Sequence, residues 1–384
     1  MDTKKVKPET IAAQALGWID ATTKAVSPPI HTSTTYVRDA DNQYRNGRVY
    51  ARDHNPSFDQ AEAVLCELEQ GAQAALFASG MAAATALFQA LKPGDHVVAP
   101  KVMYWSLRNW LMTFATQWGL DVEFVDVHKN DQLQRAVRPG KTRIVWVETP
   151  ANPLWTITDI AAAADIAHKA GALLAVDSTT ASPVLTRPLT LGADIVMHSA
   201  TKYLNGHSDV IAGALVTREN SEYWKRVKAV RAQIGGTMGS FEAWLLLRGM
   251  RTLFLRVDAA CRSAQRIAEH FQGHPQIAEV LYPGLASFEG HMVAAKQMQG
   301  GFGGMLSIRI KAGEAAAIAT AANVDLWKRA TSLGGVESLI EHRASVEGAG
   351  TPVPFDLLRL SVGIENTGDL IADLEQALKR AGTA

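Results

Sequence analysis

Short apolar runs alternate with helical patterns along the chain from residue 72 to residue 216. Runs that are apolar at consecutive positions are typical of strands buried on both faces of a parallel sheet. The pattern predicts strands over residues 74–78, 96–99, 122–127, 143–148, 172–177, 194–198 and 213–217. Between them, residues 80–95 and 159–172 have helical spacing and close on Gly94 and Gly171, as helix C-termini often do. The expected fold class is therefore α/β, with a large, mainly parallel sheet covered by helices in three layers.

The pattern changes after residue 217. Residues 254–271 predict a long, arginine-rich helix, residues 303–310 alternate like a half-exposed strand, and residues 369–382 predict a final amphipathic helix. These elements indicate a smaller C-terminal α+β domain. The first 50 residues are rich in Thr, Pro and Asn and show little periodicity, which predicts an arm that lies on another surface. We therefore expect an N-terminal arm at 1–50, a large domain at 51–245 and a C-terminal domain at 246–384.

Charge and composition narrow the class of partner. Lys and Arg total 38, as do Asp and Glu, so no global field would attract nucleic acid or an anionic membrane. The alanine-rich run at 160–177 contains Asp165, His168 and Lys169, which excludes a membrane span, and the N-terminus lacks the apolar region of a secretory signal. Two distant cysteines fit neither a disulfide framework nor a metal cluster. We expect a cytoplasmic protein that acts on a small molecule, without nucleic acid, membrane or metal.

Small and polar residues follow the predicted strands, where ligands gather in open α/β sheets. Ser79, Gly80 and Met81 form the turn into a helix, whose N–H groups and dipole can hold a phosphate; an ordinary tight turn is the alternative. Asp177 ends one strand and Lys202 follows the next. Because buried charges are costly without a partner, Asp177 fits an N-cap or an ion pair, whereas Lys202 fits an ion pair or a Schiff base.

Taken together, these residues match the needs of one cofactor, pyridoxal 5'-phosphate. This cofactor requires an amine for its aldehyde, an acid for its pyridinium nitrogen and N–H and O–H donors for its phosphate. Lys202 supplies the amine and Asp177 supplies the acid. The candidate phosphate donors are Gly80, Met81, Ser199 and Thr201.

Longer motifs carry a resemblance to a known family. They are "YARDHNPSFDQAEAVLCELEQG", "FASGMAA", "VETPANP", "VDSTTASPVL", "SATKYLNGHSDVIAGALV", "SLGGVESLIEH" and "LLRLSVGIEN". Together they closely resemble the Cys/Met-metabolism family of pyridoxal-phosphate enzymes, over residues 28–378. The resemblance implies the aspartate-aminotransferase-like fold (fold type I), with 51–245 as the cofactor-binding domain. It also implies a homotetramer, a dimer of dimers with shared active sites.

The resemblance implies a role for each motif residue. Lys202 would be the Schiff-base lysine, Asp177 the partner of the pyridine nitrogen and Tyr104 the ring-stacking tyrosine. The other implied cofactor ligands are Gly80, Met81, Asn152, Ser199 and Thr201, together with Tyr50 and Arg52 from a neighbouring subunit. Arg359, with Ser332 nearby, would bind the substrate α-carboxylate; a guanidinium fork on an apolar strand suits that task or a structural salt bridge. Lys202, Tyr104 and Tyr50 are the catalytic candidates.

The implied activity is that of a pyridoxal-phosphate-dependent lyase or transferase of trans-sulfuration. We expect a carbon–sulfur lyase like cystathionine β-lyase, which acts by aldimine exchange, Cα proton removal by Lys202 and β-elimination. The alternative is γ-replacement or γ-elimination, as in cystathionine γ-synthase, O-acyl-homoserine sulfhydrylase, methionine γ-lyase or an enzyme of another homoserine-derived substrate. A non-catalytic pyridoxal-phosphate binder is the alternative of another class. The glycines at 300–305 lack the strand and helix of a nicotinamide-binding motif.

Three positions depart from the family pattern and leave the substrate open. Thr331 stands where several γ-acting members that handle cystathionine carry a glutamate, and Trp105 stands where glycine is common. Arg343 replaces a usual proline. Two interpretations of Arg343 remain: it recognises an acidic distal group of the substrate, or it pairs with Glu341 or Glu347.

Overall fold

The computed structural model describes residues 1–348 and 350–382. The strands are β1 (Gln73–Phe77), β2 (His96–Pro100), β3 (Asp121–Val125), β4 (Thr142–Glu148), β5 (Leu173–Asp177), β6 (Ile195–His198), β7 (Gly213–Thr217), β8 (Ile277–Leu281), β9 (Met305–Ile310), β10 (Lys328–Arg329), β11 (Leu339–His342) and β12 (Leu357–Ser361). The helices are α1 (Pro8–Gln14), α2 (Pro56–Glu69), α3 (Gly80–Gln89), α4 (Trp105–Trp110), α5 (Asn130–Ala136), α6 (Ile160–Lys169), α7 (Ser182–Leu185), α8 (Glu222–Ile234), α9 (Ser240–Met250), α10 (Leu253–Phe271), α11 (His291–Gln297), α12 (Glu314–Ala322), α13 (Arg343–Glu347) and α14 (Thr367–Ala381). A π-helical turn, Leu111–Ala115, extends α4.

The first sheet contains seven strands in the order β1-β7-β6-β5-β4-β2-β3. Strands β2 to β6 run parallel to one another, and β7 is antiparallel to its neighbours β1 and β6. All seven strands match the apolar runs of the sequence. The prediction of a mainly parallel sheet is therefore confirmed.

Helices cover both faces of this sheet, as the side chains of β4 illustrate. Val145 and Val147 belong to a core shared with α2, α6 and α9. Ile144 and Trp146 point to the opposite core, where the rings of Trp146 and Phe88 lie 5.5 Å apart between centroids. Because each buried aliphatic or aromatic side chain contributes about 1.5–3 kcal/mol, the consecutive apolar side chains of residues 144–147 stabilise the strand from both sides. The three-layer prediction is confirmed.

The second sheet has five strands in the order β10-β11-β12-β9-β8. Leu306 and Ile308 of β9 face a core formed with α10, α12 and α14. On the other face, Ser307 accepts a hydrogen bond from Trp155 Nε1 at 2.8 Å and donates one to the carbonyl of Pro153 at 2.8 Å. The prediction of a half-exposed strand was therefore wrong, because the loop that follows β4 covers the second face of β9.

The first 50 residues contain one helix that the sequence pattern did not predict. Pro8 occupies the first turn of α1, and Ala15 ends the helix in the left-handed conformation. Ile11 and Ala12 are buried, and Gln60 of α2 donates a hydrogen bond to the Ala15 carbonyl at 2.8 Å. The little periodicity of the first 50 residues therefore did not reveal this helix, which lies against α2. Residues 18–55 form neither helices nor regular strands, and many of their side chains are exposed.

The helix expected over 80–95 is also shorter than its pattern. Helix α3 ends at Gln89, and the N–H of Lys92 bonds to the Asp95 side chain at 2.9 Å in the turn that follows. Pro93 disfavours a helical conformation of the residue before it. The helix therefore ends although the apolar spacing of the sequence continues past it. Helix α6 matches its prediction, with Asp159 as the N-cap.

Other expectations concern packing and location. The two cysteines, Cys66 and Cys261, are free, Cys261 is buried, and both lie in helices. No helix within the described residues has the length and apolarity to span a bilayer. Across the same residues, no cluster of three or more His, Cys, Asp or Glu side chains is arranged to hold a metal ion.

Candidate active site

A cleft of about 410 Å³ lies at the carboxyl ends of the parallel strands, beside the second sheet. It brings together most of the residues that the sequence singled out, although they are far apart along the chain. Those on its wall are Gly80, Met81, Tyr104, Asn152, Asp177, Ser199, Thr201, Lys202, Thr331, Ser332, Arg343 and Arg359. Strand ends of the first sheet supply one side and the second sheet supplies the other. Ligands are expected at this edge of an α/β sheet.

Lys202 lies in the turn between β6 and β7, mostly buried. Its Nζ donates a hydrogen bond to Ser332 Oγ at 2.7 Å. Burial and the nearby positive charge of Arg359 lower the pKa of Lys202 to about 8, although the Glu341 carboxylate opposes them. The amine is therefore far more often neutral, and so nucleophilic and basic, than an exposed lysine at the same pH.

A buried arginine holds the backbone of the lysine turn. Arg256 of α10 donates hydrogen bonds to the carbonyls of Tyr203 at 2.8 Å and Gly249 at 2.7 Å. Gly206 has φ of 75°, and a Cβ there would lie 1.8 Å from the Arg256 guanidinium. Only glycine fits that close approach in that conformation. The long helix of the C-terminal half thus fixes the position of Lys202.

Asp177 and Glu148 end neighbouring strands, β5 and β4, and are paired in register. Burial raises the pKa of Asp177, against hydrogen bonds from Thr179 and the charge of His198, which lower it. Burial and the charge of Asp177 raise the pKa of Glu148 to about 8. Two buried carboxylates side by side disfavour their ionised forms, and a cationic ring nitrogen at Asp177 would relieve that cost.

Glu148 also joins two parts of the cleft, a role that the sequence did not reveal. Its Oε2 accepts the N–H of Tyr104 at 2.7 Å and its Oε1 accepts the N–H of Asn152 at 2.8 Å. The available signal was the same as for Asp177, a carboxylate at the end of an apolar strand. Two cis peptide bonds, before Pro150 and Pro153, lie on either side of this contact.

The N-terminus of α3 faces the turn after β6. Ser79 caps the helix by accepting the N–H of Ala82 at 3.0 Å, which leaves the first N–H groups, those of Gly80 and Met81, without helical acceptors. A Cβ on Gly80 would lie 2.8 Å from Ser199 Oγ, so only glycine allows this approach. The pair of backbone donors and the adjacent hydroxyl form a cradle suited to a phosphate.

Thr201 lies on the cleft wall with its hydroxyl already engaged. The hydroxyl donates to the Ala212 carbonyl at 3.1 Å and accepts the Ala212 N–H at 2.9 Å. Thr179 was not predicted as a site residue; its hydroxyl accepts the N–H of Ser199 at 2.8 Å, and its N–H donates to Asp177 at 3.0 Å. Thr179 therefore links the acid to the phosphate cradle.

Arg359 is buried on β12 opposite the lysine. Its Nη2 donates to the Ser332 carbonyl at 2.7 Å and lies 2.6 Å from Glu341 Oε2, and its Nη1 bonds to Asn152 Oδ1 at 3.3 Å. Burial lowers the pKa of Arg359 to about 10, so the guanidinium is charged at neutral pH. Ser332 has φ of 98°, a strained conformation for a residue with a side chain. That residue touches both Lys202 and Arg359.

Arg343 lies on the wall beyond Arg359, and it pairs with both candidate glutamates. Its Nη1 donates to Glu341 Oε2 at 2.8 Å and its Nη2 donates to Glu347 Oε1 at 2.9 Å. The pairing interpretation of Arg343 therefore holds in this structure. Thr331 also lies on the wall, whereas Trp105 begins α4 and is partly exposed.

Tyr50 and Arg52 do not reach the cleft of their own chain. Tyr50 is 44% exposed, and the Arg52 guanidinium lies 5.4 Å from the centroid of its ring. Both residues line a separate depression with residues of the 32–34 and 237–240 segments.

Comparisons with known proteins agree with this geometry. The family model described as "Cys/Met metabolism PLP-dependent enzyme" matches residues 9–379. The chain is 45% identical to a cystathionine gamma-synthase of Mycobacterium tuberculosis, over 97% of this chain and 96% of that protein. It is 40% identical to a cystathionine beta-lyase of Coxiella burnetii, over 94% of each chain. The crystal structure of a cystathionine gamma synthase from Xanthomonas oryzae in complex with cystathionine superposes with a TM-score of 0.94, at 38% identity over 98% of this chain and 99% of that one.

The cleft fits the cofactor of that family on its own geometry. It offers a buried amine of lowered pKa, a buried carboxylate of raised pKa, and a helix N-terminus that a glycine brings against a serine. The predicted resemblance, the type I fold and the pyridoxal-phosphate cofactor are confirmed. Over nearly its whole length, this chain belongs to the Cys/Met-metabolism family of pyridoxal-phosphate-dependent enzymes.

Proposed function

We propose that this chain is a carbon–sulfur lyase of the cystathionine β-lyase type, with Lys202 as its base and Arg359 as its carboxylate anchor. The observation that carries the proposal is the placement of both groups on one residue, Ser332. Lys202 Nζ bonds to the Ser332 hydroxyl at 2.7 Å, and Arg359 Nη2 bonds to the Ser332 carbonyl at 2.7 Å. A substrate whose α-carboxylate binds Arg359 would present its Cα close to Lys202.

Pyridoxal phosphate, when bound, supplies an aldehyde that condenses with amines and a ring that stabilises negative charge at Cα. Lys202 and Asp177 would hold it at its two reactive ends, and Gly80, Met81 and Ser199 would hold its phosphate. Tyr104 would pack against its ring, because Glu148 fixes the backbone of that tyrosine beside Asn152.

The reaction follows from proton transfers by these side chains. Lys202 would remove the Cα proton of the substrate, and Asp177 would hold a proton at the ring nitrogen. Tyr104 is the candidate acid for the departing thiolate, since it lies on the same wall. From cystathionine, loss of the β-thiolate and hydrolysis would give homocysteine, pyruvate and ammonia.

γ-Replacement is the second candidate, and overall likeness favours it. Identity to the mycobacterial γ-synthase is 45%, against 40% for the Coxiella β-lyase. Thr331 weighs against it only by comparison within the family, because several γ-acting members that handle cystathionine carry a glutamate at this position; the distal ammonium group of cystathionine is present in β-elimination as well and does not separate the two reactions. Glu148 and Asp177 are the carboxylates among the described residues on the cleft wall, and both would serve the cofactor.

One set of assays separates these reactions. The purified protein with pyridoxal phosphate is mixed with cystathionine, and pyruvate and 2-oxobutyrate are measured separately. Pyruvate supports β-elimination, and 2-oxobutyrate supports γ-elimination. Formation of cystathionine from an O-acyl-homoserine and cysteine supports γ-replacement instead.

Lys202→Ala and an exposed control, Lys92→Ala, complete the test of the cofactor site. Lys202→Ala should lose both the visible absorbance of the lysine-bound cofactor and turnover, while the control retains both. Visible absorbance that persists unchanged in Lys202→Ala would contradict the assignment. Lysine-dependent absorbance with no product from any of these substrates would favour a non-catalytic pyridoxal-phosphate binder.

The assembly and its surroundings belong to the same proposal. A homotetramer built as a dimer of dimers would bring Tyr50 and Arg52 of one chain to the phosphate of its neighbour, because they lie outside the cleft of their own chain. The proposed organisation is an arm at 1–50, a cofactor domain at 51–245 and a C-terminal domain at 246–384.

We place the enzyme in the cytoplasm, in line with its lack of a disulfide framework.

A further inference from the structure

Four buried charges form a continuous ladder at the wall of the cleft. In order they are Glu347, Arg343, Glu341 and Arg359, and their side chains are 4–8% exposed. The N–O distances along the ladder are 2.9 Å, 2.8 Å and 2.6 Å. Thr351 extends it by donating its hydroxyl to Glu347 at 2.7 Å.

Glu341 already pairs with Arg359 Nη2, the donor that a substrate carboxylate needs. Glu341 and Arg359 are directly opposite on the antiparallel strands β11 and β12, so their side chains lie on the same face. Glu341 Oε2 is shared between Arg343 Nη1 and Arg359 Nη2. An α-carboxylate that binds Arg359 therefore approaches a second buried carboxylate, and the two like charges repel strongly in this low-dielectric site.

Arg343 lowers the free-energy cost of replacing Glu341 by a substrate carboxylate at Arg359. When a substrate takes Arg359, Glu341 still keeps a guanidinium partner at 2.8 Å. Without Arg343, Glu341 would depend on Arg359 alone and would compete with the substrate for it, because an unpaired buried carboxylate is strongly disfavoured.

We propose that Arg343 is a positioning residue that holds Glu341 and thereby frees Arg359 for the substrate α-carboxylate. This inference rests on the carboxylate-binding role proposed for Arg359. The competing idea is direct contact between Arg343 and a distal group of the substrate. Its Nη atoms are bonded to the two glutamates, while its Nε is a buried donor that has no partner among the described residues.

The test uses the holoenzyme and L-alanine, which has an α-carboxylate but no leaving group and no distal group. The dissociation constant is measured from the change in cofactor absorbance. Arg343→Gln should weaken alanine binding by at least about tenfold, as expected for loss of a buried charge that offsets a like-charge contact. It should raise KM for the true substrate and leave kcat within about twofold.

Rescue distinguishes positioning from a general structural defect. In the double variant Arg343→Gln with Glu341→Gln, the competing carboxylate is gone, so alanine affinity should return to within about threefold of the wild type. Glu347→Gln is the matched control: it removes a charge from the other end of the ladder, leaves Arg343 on Glu341, and should not weaken alanine binding. Should Arg343→Gln fail to fold, Glu341→Gln alone tests the same point, because it should bind alanine at least as tightly as the wild type.

Two results would overturn the proposal. One is alanine affinity that is unchanged by Arg343→Gln while a substrate with an acidic distal group is bound more weakly, which is the pattern of direct contact. The other is a double variant that binds alanine no better than Arg343→Gln. Arg359→Lys tests the underlying carboxylate-binding role of Arg359 separately. If alanine affinity is unchanged in Arg359→Lys, that role is rejected. If alanine binds more weakly to Arg359→Lys but as tightly to Arg343→Gln as to the wild type, only the positioning role of Arg343 is rejected.

Discussion

Burial shifts the pKa values of individual side chains in the cleft more than any single contact does. Lys202 and Asp177 both lie in surroundings that disfavour their charged forms, and for each of them burial is the largest cause. The amine therefore tends to be neutral, as a base and nucleophile must be. The raised pKa of the acid would fall when a cationic ring nitrogen is bound beside it.

Burial of Lys202 predicts an unusual pH dependence for cofactor attachment. The neutral amine is the form that reacts, and with a pKa of about 8 roughly one tenth of it is neutral at pH 7. In the cofactor-free protein, the rate at which pyridoxal phosphate bonds to Lys202 should rise with pH and level off above about 8. Stopped-flow absorbance measures this rate. Arg359→Gln should move the midpoint upward, because the Arg359 charge lowers the pKa of Lys202.

A free lysine derivative provides the control for this measurement, since its rate should keep rising until the pH approaches its ordinary pKa near 10.5. A rate at Lys202 that followed the free amine would contradict the effect of burial.

The two hydrogen bonds accepted by Glu148 lead to a second prediction, on stability and cofactor binding. Both of its oxygens accept backbone N–H groups, from Tyr104 and Asn152. Glu148→Gln replaces one acceptor with an NH₂ group, so one buried N–H loses its partner at a cost of about 1–3 kcal/mol. We expect a lower melting temperature in the cofactor-free protein and weaker cofactor binding, measured by calorimetry and absorbance titration. Glu314→Gln, at an exposed position, is the control, and equal melting temperatures for both variants would argue against the role of Glu148.

Elements position these residues through close backbone contacts. Helix α3 approaches the turn after β6 at Gly80, and α10 reaches the lysine turn through Arg256. The second sheet contributes Arg359, and the loop after β4 packs against its strand β9 through Trp155 and Ser307. The cleft is therefore the place where four separate elements are held by specific hydrogen bonds and by glycines.

Substitution of Gly80 tests the approach of α3. A methyl group there would lie 2.8 Å from Ser199 Cβ and Oγ, so the helix and the turn must separate. Gly80→Ala should weaken pyridoxal-phosphate binding by at least about tenfold, or 1.4 kcal/mol, in an absorbance titration. Gly236→Ala is the matched control, because its Cβ would meet the Ala82 side chain at an ordinary 3.5 Å. Comparable affinities in the two variants would refute a phosphate cradle at Gly80.

At the scale of the whole molecule, the proposed shared site predicts complementation between defective chains. Lys202→Ala and Arg52→Ala should each be nearly inactive alone. Co-expressed, they should regain about a quarter of wild-type activity, because a twofold dimer of the two chains would have one intact site. Turnover per subunit of the purified mixture measures this. If Arg52 acted within its own chain, every site would carry a defect and mixing would restore nothing.

The sequence by itself determined the layers of the fold and the candidate residues of the site. Strands buried on both faces are apolar at consecutive positions, so β4 and β5 were recognisable locally, as were the carboxylate that ends β5 and the amine that follows β6. The pattern of β9 wrongly predicted a half-exposed strand, and the spacing past Gln89 wrongly predicted a longer helix. Local periodicity does not show that a loop covers a strand or that a turn ends a helix. Only the tertiary structure decided how Arg343 is used. Its partners come from two elements, and its relation to Arg359 depends on strand pairing between residues distant in the chain. Contacts of that kind follow from packing in three dimensions, which no local pattern encodes.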